Sequence, residues 1–285
     1  MAIALGPNQY GKAETRVVRI DRDSPVHRIT DLNVSTSLSG DLIDTHLTGD
    51  NAKVLPTDTQ KNTVYAFARE GIGEIEAFAL RLARHFVDTQ EPIHRARIRV
   101  EQYAWQRIGD APHSFARGEA AVRTTTVTYD GTNTHVVSGV EGLVVLNSTD
   151  SEFWGFPRDE YTTLGETQDR ILATAVNAHW RHGTHSEDWG ASYAQARQAL
   201  LDAFVGTYSY SLQQTLYAMG QQVLERQPTL AEIRLSLPNK HHFVMDLEPF
   251  GLTNPGEVFH ADDRPYGLIQ GTVQRDGFPS AEDAW

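Results

Sequence analysis

The sequence predicts an α+β fold built on antiparallel sheets. Apolar and polar residues alternate with period two in several separated runs, the mark of half-buried strands. Two runs with apolar spacings of three and four read as helices. These helical runs fall between groups of strands rather than after every strand, which opposes the βαβ alternation of a doubly wound sheet.

In chain order, residues 16–20 (RVVRI) and 32–38 (LNVSTSL) alternate as strands, with Asp21, Ser24 and Pro25 as punctuation between them. From Lys61 the period changes. Val64, Tyr65 and Ala68, then Ile75, Phe78, Leu82 and Phe86, mark two helical segments parted near Gly71 and Gly73. Thr57 and Asp58 stand at the start of the first segment, where a helix leaves backbone N–H groups open to an anion. Strands resume at 96–103, 121–129 and 134–146, the last two joined by a tight Asp130-Gly131 turn. The second half repeats the plan, with a strand at 171–180 and helices at 193–205 and 212–224. A hairpin of 232–237 and 242–247, turning at Pro238 and Asn239, and a strand at 268–273 complete it. KNTVYA at 61–66 is echoed by QQTLYA at 213–218. Two copies of one unit are therefore expected, residues 1–145 and 146–285.

Composition narrows the function. A chain of 285 residues has room for about two domains and buries roughly 75% of its unfolded surface. Cysteine is absent, which removes disulfides, thiolate catalysis and sulfur-ligated metal. A net charge of −12 without a basic tract argues against a nucleic-acid partner. No apolar run reaches about 18 residues, so no membrane span is expected. The N-terminus lacks a signal-peptide pattern and the C-terminus a peroxisomal address, so the expected location is cytoplasmic. Gly71 and Gly73 begin like a dinucleotide fingerprint, but Glu76 stands where its third glycine would be. P-loop, GxSxG and HExxH motifs are missing.

Residues 153–170 (FWGFPRDEYTTLGETQDR) combine an aromatic cluster with a charged, Thr-rich run ending in Arg170. Phe153 could stack on a flat anionic ligand that an arginine fork grips. His179, His182 and His185 have a spacing that could place imidazoles on one face for zinc. Gly183 and the acids beside them read instead as a solvated connection, and no metal is expected. In SLPNKHH, Asn239 and His241 would share a strand face as i and i+2.

YGK at 10–12, TDTQKNTVY at 57–65, FWGFPRDEYTTL at 153–164, DRIL at 169–172, QQTLY at 213–217 and SLPNKHHF at 236–243 occur in this order. Together they resemble the urate oxidase (uricase) family, from about Tyr10 to Gly271. The resemblance implies two tandem tunnelling-fold (T-fold) units, their helices packed on one face of the sheets, assembling into a barrel-like oligomer. It implies a homotetramer with active sites at dimer interfaces. The implied reaction oxidises urate with O2 and water to 5-hydroxyisourate and hydrogen peroxide, without cofactor.

By the same resemblance Lys12 is the base, Thr57 a hydroxyl relay, and His241 orients and recharges that relay. A base must be poised near working pH, which burial or a like charge such as Arg170 would achieve. Phe153 stacks on urate while Arg170 and Gln213 grip its pyrimidine edge. Backbone at Thr57, Asp58 and Leu212 takes other heteroatoms, and Asn239 holds O2 and later water. Leu212 stands where the family often has valine, a small change for a main-chain contact. The alternatives are a pterin-type T-fold enzyme, which typically carries a zinc-binding histidine set or an acidic anchor, and a catalytically silent purine-binding oligomer.

Overall fold

The structure, a computed structural model, describes residues 3–285. Strands β1 (Thr15–Asp21) and β2 (Arg28–Gly40) pair antiparallel, and a short helix α1 (Ile43–Leu47) follows. Helices α2 (Thr57–Glu70) and α3 (Ile75–Thr89) come next, then β3 (Ile93–Tyr103). A small two-stranded sheet of β4 (Trp105–Arg107) and β5 (Phe115–Arg117) precedes β6 (Val122–Tyr129) and β7 (Thr134–Asn147). The remaining elements are β8 (Leu172–His182), α4 (Trp189–Gly206), α5 (Leu212–Arg226), β9 (Leu230–Pro238), β10 (His241–Val244), β11 (Phe259–Asp262) and β12 (Leu268–Gln274). Among the described residues, no helix is long and apolar enough to cross a membrane.

Eight strands form the main sheet in the order β1-β2-β3-β6-β7-β8-β9-β12, leaving β1 and β12 as its edges. The chain divides into two compact units. The first runs to Gly139 and also takes Trp180–Tyr193 and Gly277–Trp285; the second comprises Val140–His179 and Ala194–Asp276. That division and the expected one after residue 145 both fall inside β7.

In the first unit, alternation on β2 and β3 sends Leu32, Val34, Leu38, Ile98 and Val100 to one face. Ile75, Phe78, Leu82 and Phe86 form the matching stripe of α3, each at 0% exposure. Each such side chain contributes about 1.5–3 kcal/mol by leaving water. The stripe breaks off from α2 where the sequence anticipates, because Gly71 (φ +145°) and Gly73 (φ +63°) adopt backbone that other residues avoid. The C-terminal segment lies in this unit too, with Ala281 and Ala284 packed beside Val137. Arg95 and Arg181 donate to the Asp283 and Pro279 carbonyls at 2.7 and 2.9 Å, and Arg97 donates to Trp285.

Two sequence expectations fail locally. The hairpin of 232–237 with 242–247 does not exist. Strand β9 pairs antiparallel with β12, bringing Pro238 opposite Leu268, while β10 pairs with β11. Pro238 lacks an N–H but ends a strand rather than making a turn, a position proline tolerates. Asn239 makes an isolated bridge with Thr174, whereas His241 already belongs to the other sheet. The expected shared strand face of Asn239 and His241 therefore fails, since the strand breaks at Lys240.

Candidate active site

In the first unit, residues 10–12 run beside β2. Tyr10 exchanges backbone hydrogen bonds with Leu38 at 3.0 and 2.7 Å. Lys12 is held through its main chain alone: its N–H donates to Thr36 Oγ1 at 3.1 Å, and its carbonyl accepts from the Thr36 N–H at 2.9 Å. Gly11 permits this approach, because a Cβ there would lie 1.7 Å from the Thr36 carbonyl oxygen. The Lys12 side chain is left half-buried and outside these tethers.

Helix α2 supplies Thr57 and Asp58. Its preceding residue Pro56 is extended and caps nothing with a side chain, so the first-turn N–H groups have no cap. Asp58 carries an ion pair with Lys61 and accepts from Asn62 at 3.0 Å. The Lys61 hydrogen bond and charge, with a smaller contribution from Lys12, hold the Asp58 carboxyl below its ordinary range. Lys12 thus lies within electrostatic reach of the start of α2.

The second unit carries the other candidates. Phe153 exchanges backbone hydrogen bonds with Thr167 at 2.9 and 3.0 Å, closing the intervening loop. Its ring stacks on Phe156 (centroids 5.0 Å apart, planes at 18°). The Arg170 guanidinium carbon sits 5.1 Å from the Phe153 centroid. Arg170 Nε donates to Ser151 Oγ at 3.2 Å, and among the described residues its two terminal nitrogens have no hydrogen bond and no carboxylate partner. Burial lowers the Arg170 pKa from its ordinary value, the mark of a cation short of water. A half-buried fork with both terminal nitrogens unpartnered suits a planar anion.

Gln213 sits in the first turn of α5, whose preceding Ser211 accepts from the Gln214 N–H at 3.2 Å. Leu212 buries its side chain at 3% exposure, so only its main chain remains for a ligand. The Gln213 amide has no hydrogen bond among the described residues. Buried hydroxyls bring this turn to Arg170. Ser209 bridges Ser151 with its backbone and accepts from Thr215 Oγ1 at 2.8 Å through its side chain. Asn239 is fixed by its N–H to the Gly267 carbonyl at 2.8 Å, with Thr174 Oγ1 donating to the Pro238 carbonyl at 2.9 Å. His241 lies parallel to Phe243, centroids 5.7 Å apart.

Lys12, Thr57 and Asp58 thus share one unit, and Phe153, Arg170, Leu212, Gln213, Asn239 and His241 the other. A cavity of about 620 Å³ lined by Val17, Arg19, Asp21, Tyr65 and Arg69 contains none of them. Sequence reading missed Thr36, Gln60, Ser151, Ser209 and Thr215. The available signal was a polar residue on an apolar stripe, since Gln60 precedes Val64 and Ala68 at spacings of four.

The three spaced histidines go separate ways. His179 pairs with Glu141 at 2.9 Å. His182 is buried between Ser138 Oγ, 2.9 Å from its Nε2, and Glu187, 2.7 Å from its Nδ1, with Trp189 edge-on. Ser138 donates to the buried Glu76 at 2.7 Å, whose carboxyl is pushed up by burial despite Arg123 at 2.8 Å. His185 is exposed.

Comparison with known proteins identifies the family. A family model described as Uricase matches residues 8–128 and 136–270. A uricase of Arthrobacter globiformis is 53% identical over 283 residues, 99% of this chain and 94% of that protein. One from Dictyostelium discoideum is 37% identical over 276 residues, covering 94% and 96%. The crystal structure of the Arthrobacter globiformis uricase matches with a TM-score of 0.97 at 52% identity, covering 100% of this chain and 99% of that one. Family model, relatives and fold agree along nearly the whole length, and the chain belongs to the uricase family.

Proposed function

We infer that this uricase binds urate between Phe153 and the Arg170–Gln213 clamp and oxidises it with O2 and water to 5-hydroxyisourate and hydrogen peroxide. The Arg170 fork, its terminal nitrogens without a carboxylate partner and its guanidinium beside the Phe153 ring, carries the reading. A pterin-type site would instead present an acidic anchor to a guanidine-like edge.

O2 has a triplet ground state and reacts slowly with paired-electron molecules. Removing a second proton makes urate itself an electron donor, so no further redox group is needed. Lys12, through Thr57, takes that proton, and His241 orients and recharges the hydroxyl. The purine gives two electrons to O2, which leaves as hydrogen peroxide with two protons. Water adds its oxygen at C5 as the new hydroxyl, on the side where Asn239 held O2. Chelator-treated protein should consume urate, followed by ultraviolet absorbance, and release peroxide. No turnover in metal-free buffer would sink the cofactor-independent reading.

The enzyme acts as a homotetramer in the cytoplasm, and each site joins Lys12 and Thr57 of one chain to the clamp of its neighbour. Two observations support a site shared between chains: the two groups of residues lie in different units, and the main sheet ends on edges at β1 and β12 that a second copy can pair. Co-expressed Lys12→Met and Arg170→Ala chains should regain roughly a quarter of wild-type turnover, because each hybrid pair has one intact site. Activity no higher than the summed parents would show both halves coming from one chain.

A further inference from the structure

We propose that Thr36 and Gln60 are positioning residues that set the spacing between Lys12 and Thr57, an inference that rests on the urate-oxidising reading above. Gln60 is wholly buried, on the same stripe of α2 as Val64 and Ala68. An amide in that position costs stability unless both its ends are bonded. Both are bonded. Oε1 accepts from Thr36 Oγ1 at 2.6 Å, and Nε2 donates to the Leu55 carbonyl at 3.3 Å.

These bonds close a ring. The Lys12 N–H donates to Thr36 Oγ1, whose proton goes to Gln60. Gln60 grips Leu55, and Leu55 also accepts from Tyr10 Oη at 3.0 Å. Tyr10 returns to Lys12 through Gly11, which lies too close to Thr36 to carry a side chain. The ring also includes the approach to α2, since the Gln60 N–H donates to the Pro56 carbonyl at 3.1 Å. Thr57 is the next residue. The two segments bearing the base and its relay, 45 residues apart in sequence, are thus joined by side chains that touch neither reacting group.

Proton relay demands heavy-atom separations near 2.6–3.2 Å. A spacer that slackens should therefore slow the chemical step while leaving the clamp of the second unit alone. Thr36→Val keeps the shape and removes the hydroxyl; Gln60→Leu removes both amide ends. Each should lower kcat by about tenfold to a hundredfold. KM and affinity for an inert xanthine analogue should stay within about threefold. The limb of the kcat–pH profile that reports the base should shift as well. Thr36→Ser should restore kcat to within about threefold, and the double variant should lose little more than the worse single one, as members of one network do.

Wild-type kcat in folded Thr36→Val, or Thr36→Ser as slow as Thr36→Val, would overturn the inference. So would a loss confined to thermal stability. A variant that loses its folded oligomer is replaced by Thr36→Ala or Gln60→Met and read the same way. An inert wild type would overturn the urate-oxidising reading and this one together. An active wild type beside an equally active Thr36→Val overturns this one alone.

Discussion

Lys12→Met should bind an inert xanthine analogue as the wild type does and turn urate over about 10²- to 10⁴-fold more slowly, the range a positioned proton acceptor supplies. The structure explains why binding should survive. Lys12 is anchored by its N–H and carbonyl to Thr36, so a change of side chain leaves the tether in place. Methionine keeps an unbranched chain of similar length and loses only the amine. Asp58 would feel a weaker positive field, a small effect beside its pairing with Lys61. Steady-state kinetics with analogue titration would settle it. Unchanged turnover would remove Lys12 from its assigned role.

Arg170→Ala should fail in the opposite order. Forked hydrogen bonds from a charged donor are worth about 1.5–3 kcal/mol, so analogue affinity should fall roughly tenfold to 150-fold. KM should rise with it, and kcat at saturation should fall less. The arginine also lies near the Phe153 ring and holds Ser151, so truncation loosens the stacking wall as well. Arg170→Lys keeps the charge but not the fork, and should recover only part of the loss. Calorimetric titration of the analogue distinguishes these outcomes; an unaltered affinity for Arg170→Ala would contradict the clamp.

Much of the fold was legible because its determinants are local. Alternation exposed β2, β3, β6 and β7, and spacings of three and four exposed α2 and α3. The misreading after Pro238 is different in kind. The pairing of β9 with β12 spans a long excursion, and no residue within 236–243 announces a partner beyond residue 260. Strand β11 was missed for the same reason, its pairing being with β10 and not with an adjacent run. Helix α4 begins at Trp189, earlier than its apolar pattern, because Trp189 is fixed by His182 and not by the helix's own stripe.

The candidate site was legible only through ordered sequence blocks that resemble the family's, which bring Phe153, Arg170 and Gln213 to notice. The segments that carry them are linked through Ser151, Ser209 and Thr215, small buried hydroxyl residues whose sequence positions carry no sign of that role. Thr36 carries no mark in the sequence, and Gln60 shows only as a polar residue on the apolar stripe of α2, because hydrogen-bond rings have no periodicity.

Glu187, His182 and Ser138 stand in the order and at the separations of a hydrolase's acid, base and nucleophile. Distances alone would make this an esterase triad. The assignment would fail on the direction of one proton. Ser138 gives its hydrogen to Glu76, so its oxygen is an acceptor toward His182 and is not activated by it. Ser138 is also 1% exposed, beyond the reach of any ester. Three well-placed side chains make an enzyme only when the nucleophile's proton is the one being pulled, and when a substrate can arrive.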